Sequence, residues 1–133
     1  MLCVQKLLMD NHPNGFEVLE KEYAIHSKFH PSDDLVILDY DQLDSPKHEE
    51  IVRECRGLVL NSKDYSLVSR SFRRFFNGGE NRVDDNIFDW DYGAHCYEKV
   101  DGSMIQLFYH NNQCKITTRF SFAEHEISSG KPT

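Results

Sequence analysis

The stretch EYAIHSKFHPSDDLVILDY, residues 22–40, decides the fold: two short apolar runs, "EYAIHSKF" and "DLVILDY", flank the group "HPSD". Proline presets one backbone dihedral, and serine and aspartate side chains bond back to their own backbone, so such a group reverses the chain. The reading is a β-hairpin over 22–40. Residues 56–72, "RGLVLNSKDYSLVSRSF", repeat the design, with "LVL", the turn letters "NSKD", and "YSLVSRSF" in alternating character. A third unit follows: a strand running into Lys99, a turn at Asp101-Gly102, a strand from Ser103 to Tyr109, the turn "HNNQ", and "CKITTRF". Strand geometry puts Ser103, Ile105, Leu107 and Tyr109 on one face and Met104, Gln106, Phe108 and His110 on the other.

Outward from these hairpins there is little helix. "LCVQKLLMD", residues 2–10, spaces Leu2, Val4, Leu7 and Leu8 as a short amphipathic helix, which Asn11 to Gly15, with Pro13, ends. Asp41 to Lys47 reads as loop and "NGGENRVDDN", residues 77–86, as a polar loop. There is no internal repeat. Hairpin-linked strands with a short N-terminal helix imply an α+β fold built on a mostly antiparallel sheet, and 133 residues imply one domain, 1–133.

Composition excludes several classes. The 39% apolar and 12% aromatic content suits a packed core rather than a disordered chain. The apolar runs, of which "LVIL" at 35–38 is typical, fall far short of the roughly 18 residues a membrane span needs. The opening residues lack a charged segment before a long apolar one, so no signal peptide is expected. Cys3, Cys55, Cys96 and Cys114 are far apart, without a C-x-x-C pair, which suggests neither a zinc site nor a disulfide frame; a reducing, cytoplasmic location is the expectation. The seven histidines show no ligand spacing, and no metal-ligating residue is assigned.

The net charge of −7 argues against a general basic coat for nucleic acid. Its distribution is uneven. Residues 53–82 hold Arg53, Arg56, Lys63, Arg70, Arg73, Arg74 and Arg82 against Glu54, Asp64 and Glu80. Arginine dominates that cluster, and its planar fork suits phosphate oxygens, although a solvated face explains charge alone. Lys99 lies beside it in sequence, in "EKVDGS". A free lysine, with a pKa near 10.4, is uncharged in only roughly one molecule in a thousand at neutral pH. To act as a nucleophile it needs desolvation or neighbouring positive charge, and Asp101 alone works against that. Gly102 permits a tight turn and close approach of a ligand. Taken alone, K-x-D-G is equally a plain hairpin turn.

Three stretches in order are more specific. "VRECRGLVL" at 52–60, "RRFFNGGEN" at 73–81 and "YEKVDGSMI" at 97–105 together resemble the phage-type ATP-dependent RNA ligases, the RNA ligase 1 family of the covalent nucleotidyltransferases. The resemblance runs from about Tyr23 to Phe122. It implies a partial nucleotidyltransferase fold and a three-step reaction with ATP and Mg2+. In it Lys99 attacks the α-phosphate to give lysyl-AMP, the AMP passes to an RNA 5′-phosphate, and a 3′-hydroxyl displaces it. It further implies that Arg56 meets phosphate or ribose oxygens and Arg74 the triphosphate. Tyr40 is expected at the nucleotide, Glu98 and Val100 beside adenine through backbone groups, and Asp101 and Gly102 around the nucleophile. Arg119 stands where the family carries a basic residue followed by glycine, but Phe120 replaces that glycine here. Plainer roles stay open: Arg56 as an ion-pair partner of Glu54 or Asp101, Tyr40 as an ordinary strand aromatic, Phe75 and Phe76 as core.

One departure is large. The family's downstream glutamates, for ribose and metal, and its lysine pair at the α-phosphate have no counterpart after Lys99. Glu124 and Glu126 do not match their spacing. A truncated chain, one piece of a split ligase and a diverged protein all fit. Such a partial domain is expected to expose apolar surface, to associate with a complementary ligase fragment or with itself, and to be weak or inactive alone. The expected partners are ATP and RNA ends carrying a 5′-phosphate and a 3′-hydroxyl, with no membrane. The alternative is a non-catalytic nucleotide- or RNA-binding module. Capping-enzyme and DNA-ligase readings are disfavoured by Ser103 and the upstream elements.

Overall fold

A computed structural model describes residues 1–72, 74, 98 and 102–122. Helix α1 (Cys3–Asp10) and helix α2 (Gly15–Tyr23) lead into strands β1 (Ile25–Phe29) and β2 (Leu35–Tyr40). A single turn, α3 (Glu50–Glu54), precedes β3 (Arg56–Asn61) and β4 (Leu67–Ser69), and β5 (Gln106–His110) and β6 (Gln113–Thr117) follow. Strands β1 to β4 form one antiparallel sheet in chain order, and β5 and β6 form a separate antiparallel ribbon. The fold is α+β, as the hairpin pattern implies.

The 22–40 hairpin is present, with Ile25 opposite Tyr40 and Phe29 opposite Val36. It begins later than the letters suggest, because Glu22 and Tyr23 belong to α2. Asn11 to Gly15 ends one helix and starts another. Phe16, Leu19 and Tyr23 lie at helical spacing and pack against the core. Gly15 lets the two helices touch: a β-carbon there would sit 2.8 Å from Leu8 Cα. Ala24, in the left-handed region at φ 54°, closes α2 and turns the chain into β1. The second hairpin pairs β3 with a β4 shorter than "YSLVSRSF" suggests, since Tyr65 and Ser66 fall in the connection. The strand into Lys99, the polar loop at 77–86 and Phe75 and Phe76 lie outside the described residues.

Strand β2 is central and buried on both faces, which is why it reads as a continuous apolar run. Toward the helices, Val36, Leu38 and Tyr40 join Val4, Leu8, Leu19, Ile51, Val52, Leu58 and Leu60. On the opposite face, Leu35, Ile37 and Val59 are covered by Val68, Phe108, Phe120 and Phe122. Each such aliphatic side chain, fully buried, contributes about 1.5–3 kcal/mol. Strand β5 begins at Gln106, three residues later than the sequence suggests, and within it the alternation holds: Gln106 is buried and Phe108 packs inward, while Leu107 and Tyr109 are 66% and 79% exposed, as is Ile105, just before the strand, at 60%. Among the described residues no helix is long and apolar enough to cross a membrane.

Two buried polar contacts tie distant segments together. Glu54, 7% exposed, accepts from the Cys3 and Val4 N–H groups at 3.0 Å each and so caps α1 from the neighbouring turn α3. Gln106 donates to the Gly57 carbonyl at 2.6 Å and accepts from the Ser69 hydroxyl at 2.7 Å, fixing the β5–β6 ribbon to β3 and β4.

Candidate nucleotide site around Tyr40

Strand β2 ends on Asp39 and Tyr40, whose side chains alternate between the faces of the sheet. The Tyr40 N–H donates to the Cys55 carbonyl at 2.9 Å, so its backbone is bonded directly to the E-C-R-G stretch. Opposite Asp39 the ladder slips: Leu38 pairs with Leu58 but Asp39 with Arg56. The extra residue is Gly57, at φ +67°, a bulge with glycine in the left-handed region. The bulge places Arg56 at the mouth of β3, half-buried, beside Tyr40's strand.

Two guanidinium groups gather on the Tyr40 ring. The Arg119 guanidinium carbon lies 4.7 Å from the ring centre and that of Arg74 5.7 Å. Both distances suit cation–π attraction, worth roughly 0.5–2 kcal/mol each. Arg74 is held by its backbone: its N–H donates to the Arg53 carbonyl at 2.9 Å, and its carbonyl accepts from Arg53 Nε at 3.3 Å. Arg119 is held by its side chain. Its Nε donates to Asp39 Oδ1 at 2.9 Å. Gln42, with its amide oxygen turned to the guanidinium, accepts from Nη1 and Nη2 at 2.7 and 2.9 Å.

Burial pushes the Asp39 carboxyl above its ordinary value, a push that the Arg119 guanidinium and the Gly57 N–H oppose without cancelling. Arg119 shows the reciprocal balance. Burial works to lower its pKa, and the Asp39 carboxylate outweighs that and raises it.

The structure thus brings Tyr40, Arg74 and Arg119 together, with Arg56 on the neighbouring strand. Glu98 and Gly102 are exposed, and nothing lies within 4 Å of where a β-carbon would stand on Gly102 (φ +146°). Lys99, Val100 and Asp101 lie outside the described residues. Phe120, in place of the family's glycine, roofs the second sheet face: its ring centre is 6.3 Å from that of His26 and 5.9 Å from Lys28 Nζ. Sequence reasoning missed Asp39, Gln42 and Gly57's bulge. The available signal was an acidic residue interrupting the apolar run "LVIL-D-Y", where an unpaired carboxylate is costly. Among the described residues no group of three or more His, Cys, Asp and Glu is placed to hold a metal ion.

The sequence profile of a family described as RNA ligase matches residues 54–131. The chain belongs to the phage-type RNA ligase family. This family member is 37% identical, over 94% of its length, to a protein of Autographa californica nuclear polyhedrosis virus provisionally named a bifunctional polynucleotide kinase/RNA ligase. It is 30% identical, over 98% of its length, to a protein of Thermovibrio ammonificans provisionally named an RNA ligase. The chain spans 19% and 32% of the lengths of these two relatives. No solved structure matches it.

Proposed function

We propose that this chain carries the nucleotide-recognising part of an ATP-dependent RNA ligase that joins RNA 5′-phosphate and 3′-hydroxyl ends through a lysyl-AMP on Lys99. The observation that carries this reading is the convergence of Arg74 and Arg119 on the Tyr40 ring, hydrogen-bonded to the E-C-R-G strand, in a chain of the RNA ligase family. Guanidinium forks suit phosphate oxygens and a buried tyrosine end gives an adenosine a rigid apolar floor. The same positive charge favours the neutral amine of a nearby lysine. In the first step Lys99 Nζ, having lost its proton, attacks the α-phosphorus; an N–P bond forms and pyrophosphate leaves. Arg56, Arg74 and Arg119 would hold phosphate oxygens as charge moves to the leaving group. Mg2+, when bound with ATP, offsets phosphate charge and orients the leaving group. Glu98, Val100 and Gly102 would meet the adenosine through backbone groups, and Asp101 would order the nucleophile's turn.

A second reading, a nucleotide- or RNA-binding module without turnover, draws on one observation: Asp39 and Gln42 already engage three of the five N–H donors of Arg119, which leaves two for a phosphate. Incubation with α-labelled ATP and Mg2+, with Lys99→Ala as control, separates the two. Slow, Lys99-dependent label supports the ligase reading. ATP binding without label supports the module, and neither binding nor label sinks both.

A further inference from the structure

We infer that Asp39 is a positioning residue of the nucleotide site: it holds the Arg119 guanidinium against Tyr40 and so sets the cationic wall that a nucleotide phosphate meets. This rests on the ligase reading of Tyr40 and Arg119.

The argument starts from cost. Asp39 occupies the central strand of the sheet, on the face lined by Leu35 and Ile37, and its side chain is only 15% exposed. Apolar residues at both 39 and 119 would pack as well or better, because a buried ion pair seldom exceeds a hydrophobic replacement of the whole pair in stability. The Asp39–Arg119 pair is therefore poorly explained by folding alone. What it does is geometric. Arg119 has all three guanidinium nitrogens bonded, Nε to Asp39 and both terminal nitrogens to Gln42, with its guanidinium carbon over the Tyr40 ring, 4.7 Å from the ring centre. A planar fork fixed along its edges has no rotational freedom to leave the ring.

Charge gives the second reason. Arg74 and Arg119 share one ring, and two like charges repel in a partly buried setting. Asp39 supplies the compensating negative charge in the ligand-free chain. The Gly57 bulge completes the device, since a β-carbon there would press on the Arg119 backbone at 3.0–3.3 Å where it runs beside β3. Nothing in the spacing of Asp39 and Arg119, 80 residues apart, suggests the pairing.

A double-mutant cycle on ATP affinity of the whole 133-residue chain tests this, using Asp39→Asn, Arg119→Gln and the pair. Each single change is expected to weaken ATP binding about tenfold, the loss of one charge-assisted hydrogen bond. The pair is expected to lose about the same tenfold, because an anchor without its arginine does nothing. Losses that multiply to about a hundredfold, or an unchanged affinity in Asp39→Asn, overturn the inference. A purely structural Asp39 would shift thermal stability without this coupling. NMR of the Arg119 Nε–H separates the two possible failures. A protected Nε–H in the wild type, lost in Asp39→Asn, together with no ATP binding by the wild type, sinks the nucleotide reading and the positioning role with it. An unprotected Nε–H in a chain that does bind ATP sinks the positioning role alone.

Discussion

The backbone of Arg119 runs so close to Gly57 that a β-carbon on Gly57 would stand 3.0 Å from the Arg119 carbonyl oxygen and 3.3 Å from its Cα. Gly57 also sits at φ +67°, where any other residue is strained. Gly57→Ala is expected to cost about 1–3 kcal/mol, most of it from backbone strain and displaced neighbours. Urea unfolding checks the loss. A change in the Arg119 Nε–H resonance would show that the displacement reaches the Tyr40 ring, and an unperturbed midpoint would mean that the bulge tolerates a side chain.

Glu54 supports the helical layer through two hydrogen bonds at once. Replacing it with alanine leaves the Cys3 and Val4 N–H groups without their acceptor. A loss of about 2–3 kcal/mol is expected, against about 1 kcal/mol for Glu54→Gln, which keeps one carbonyl oxygen. Thermal melts of the three proteins decide it. Equal midpoints would show that water replaces the cap at no cost.

His26 bonds through Nδ1 to Glu20 at 3.0 Å and through Nε2 to Asp41 at 3.1 Å, joining α2, β1 and the turn after β2. The hydrogen bond to Asp41 raises the His26 pKa, with Glu20 adding to it against burial. The stability so linked is fully present below the ordinary histidine value of about 6.5 and is lost as pH rises through the higher folded value. Asp41 is held down to about 2, first by the Asp44 N–H and then by His26, so its contribution persists above the ordinary aspartate value and is lost only as pH falls through about 2. Denaturation midpoints measured from pH 6 to 9 should therefore fall with rising pH more steeply in the wild type than in His26→Gln. Parallel curves would remove the imidazolium from the account.

Ile105, just before β5, and Leu107 and Tyr109 on it make an exposed apolar strip. The double change Leu107→Ser, Tyr109→Ser should alter stability by less than about 0.5 kcal/mol, as surface substitutions do. It should also lower hydrophobic-dye binding and weaken concentration-dependent association in sedimentation. A wild-type chain that stays monomeric and binds no dye would show that this strip recruits nothing.

Much of the fold was legible, for reasons that differ by element. The hairpins at 22–40 and 56–72 announce themselves because turn residues bracket β-rich runs, and those are local signals. Helix α2 was hidden because Asn14 and Gly15 read as punctuation, while Gly15's actual task is close packing on Leu8. Helix α3 is one turn, too short for a period to show. At the site, Tyr40, Arg74 and Arg119 were reachable only through family motifs. Asp39 pairs with Arg119 across 80 residues, and no periodicity carries that distance. Phe120 looked like a blemish in a motif and proves to be part of a second small core.

The Glu54 cap orders events in time. An eight-residue helix is marginal in water on its own, and here its closing carboxylate arrives about fifty residues later. On the ribosome, α1 therefore emerges well before it can settle: it must wait for the "VREC" turn to clear the exit tunnel before its amide groups are satisfied.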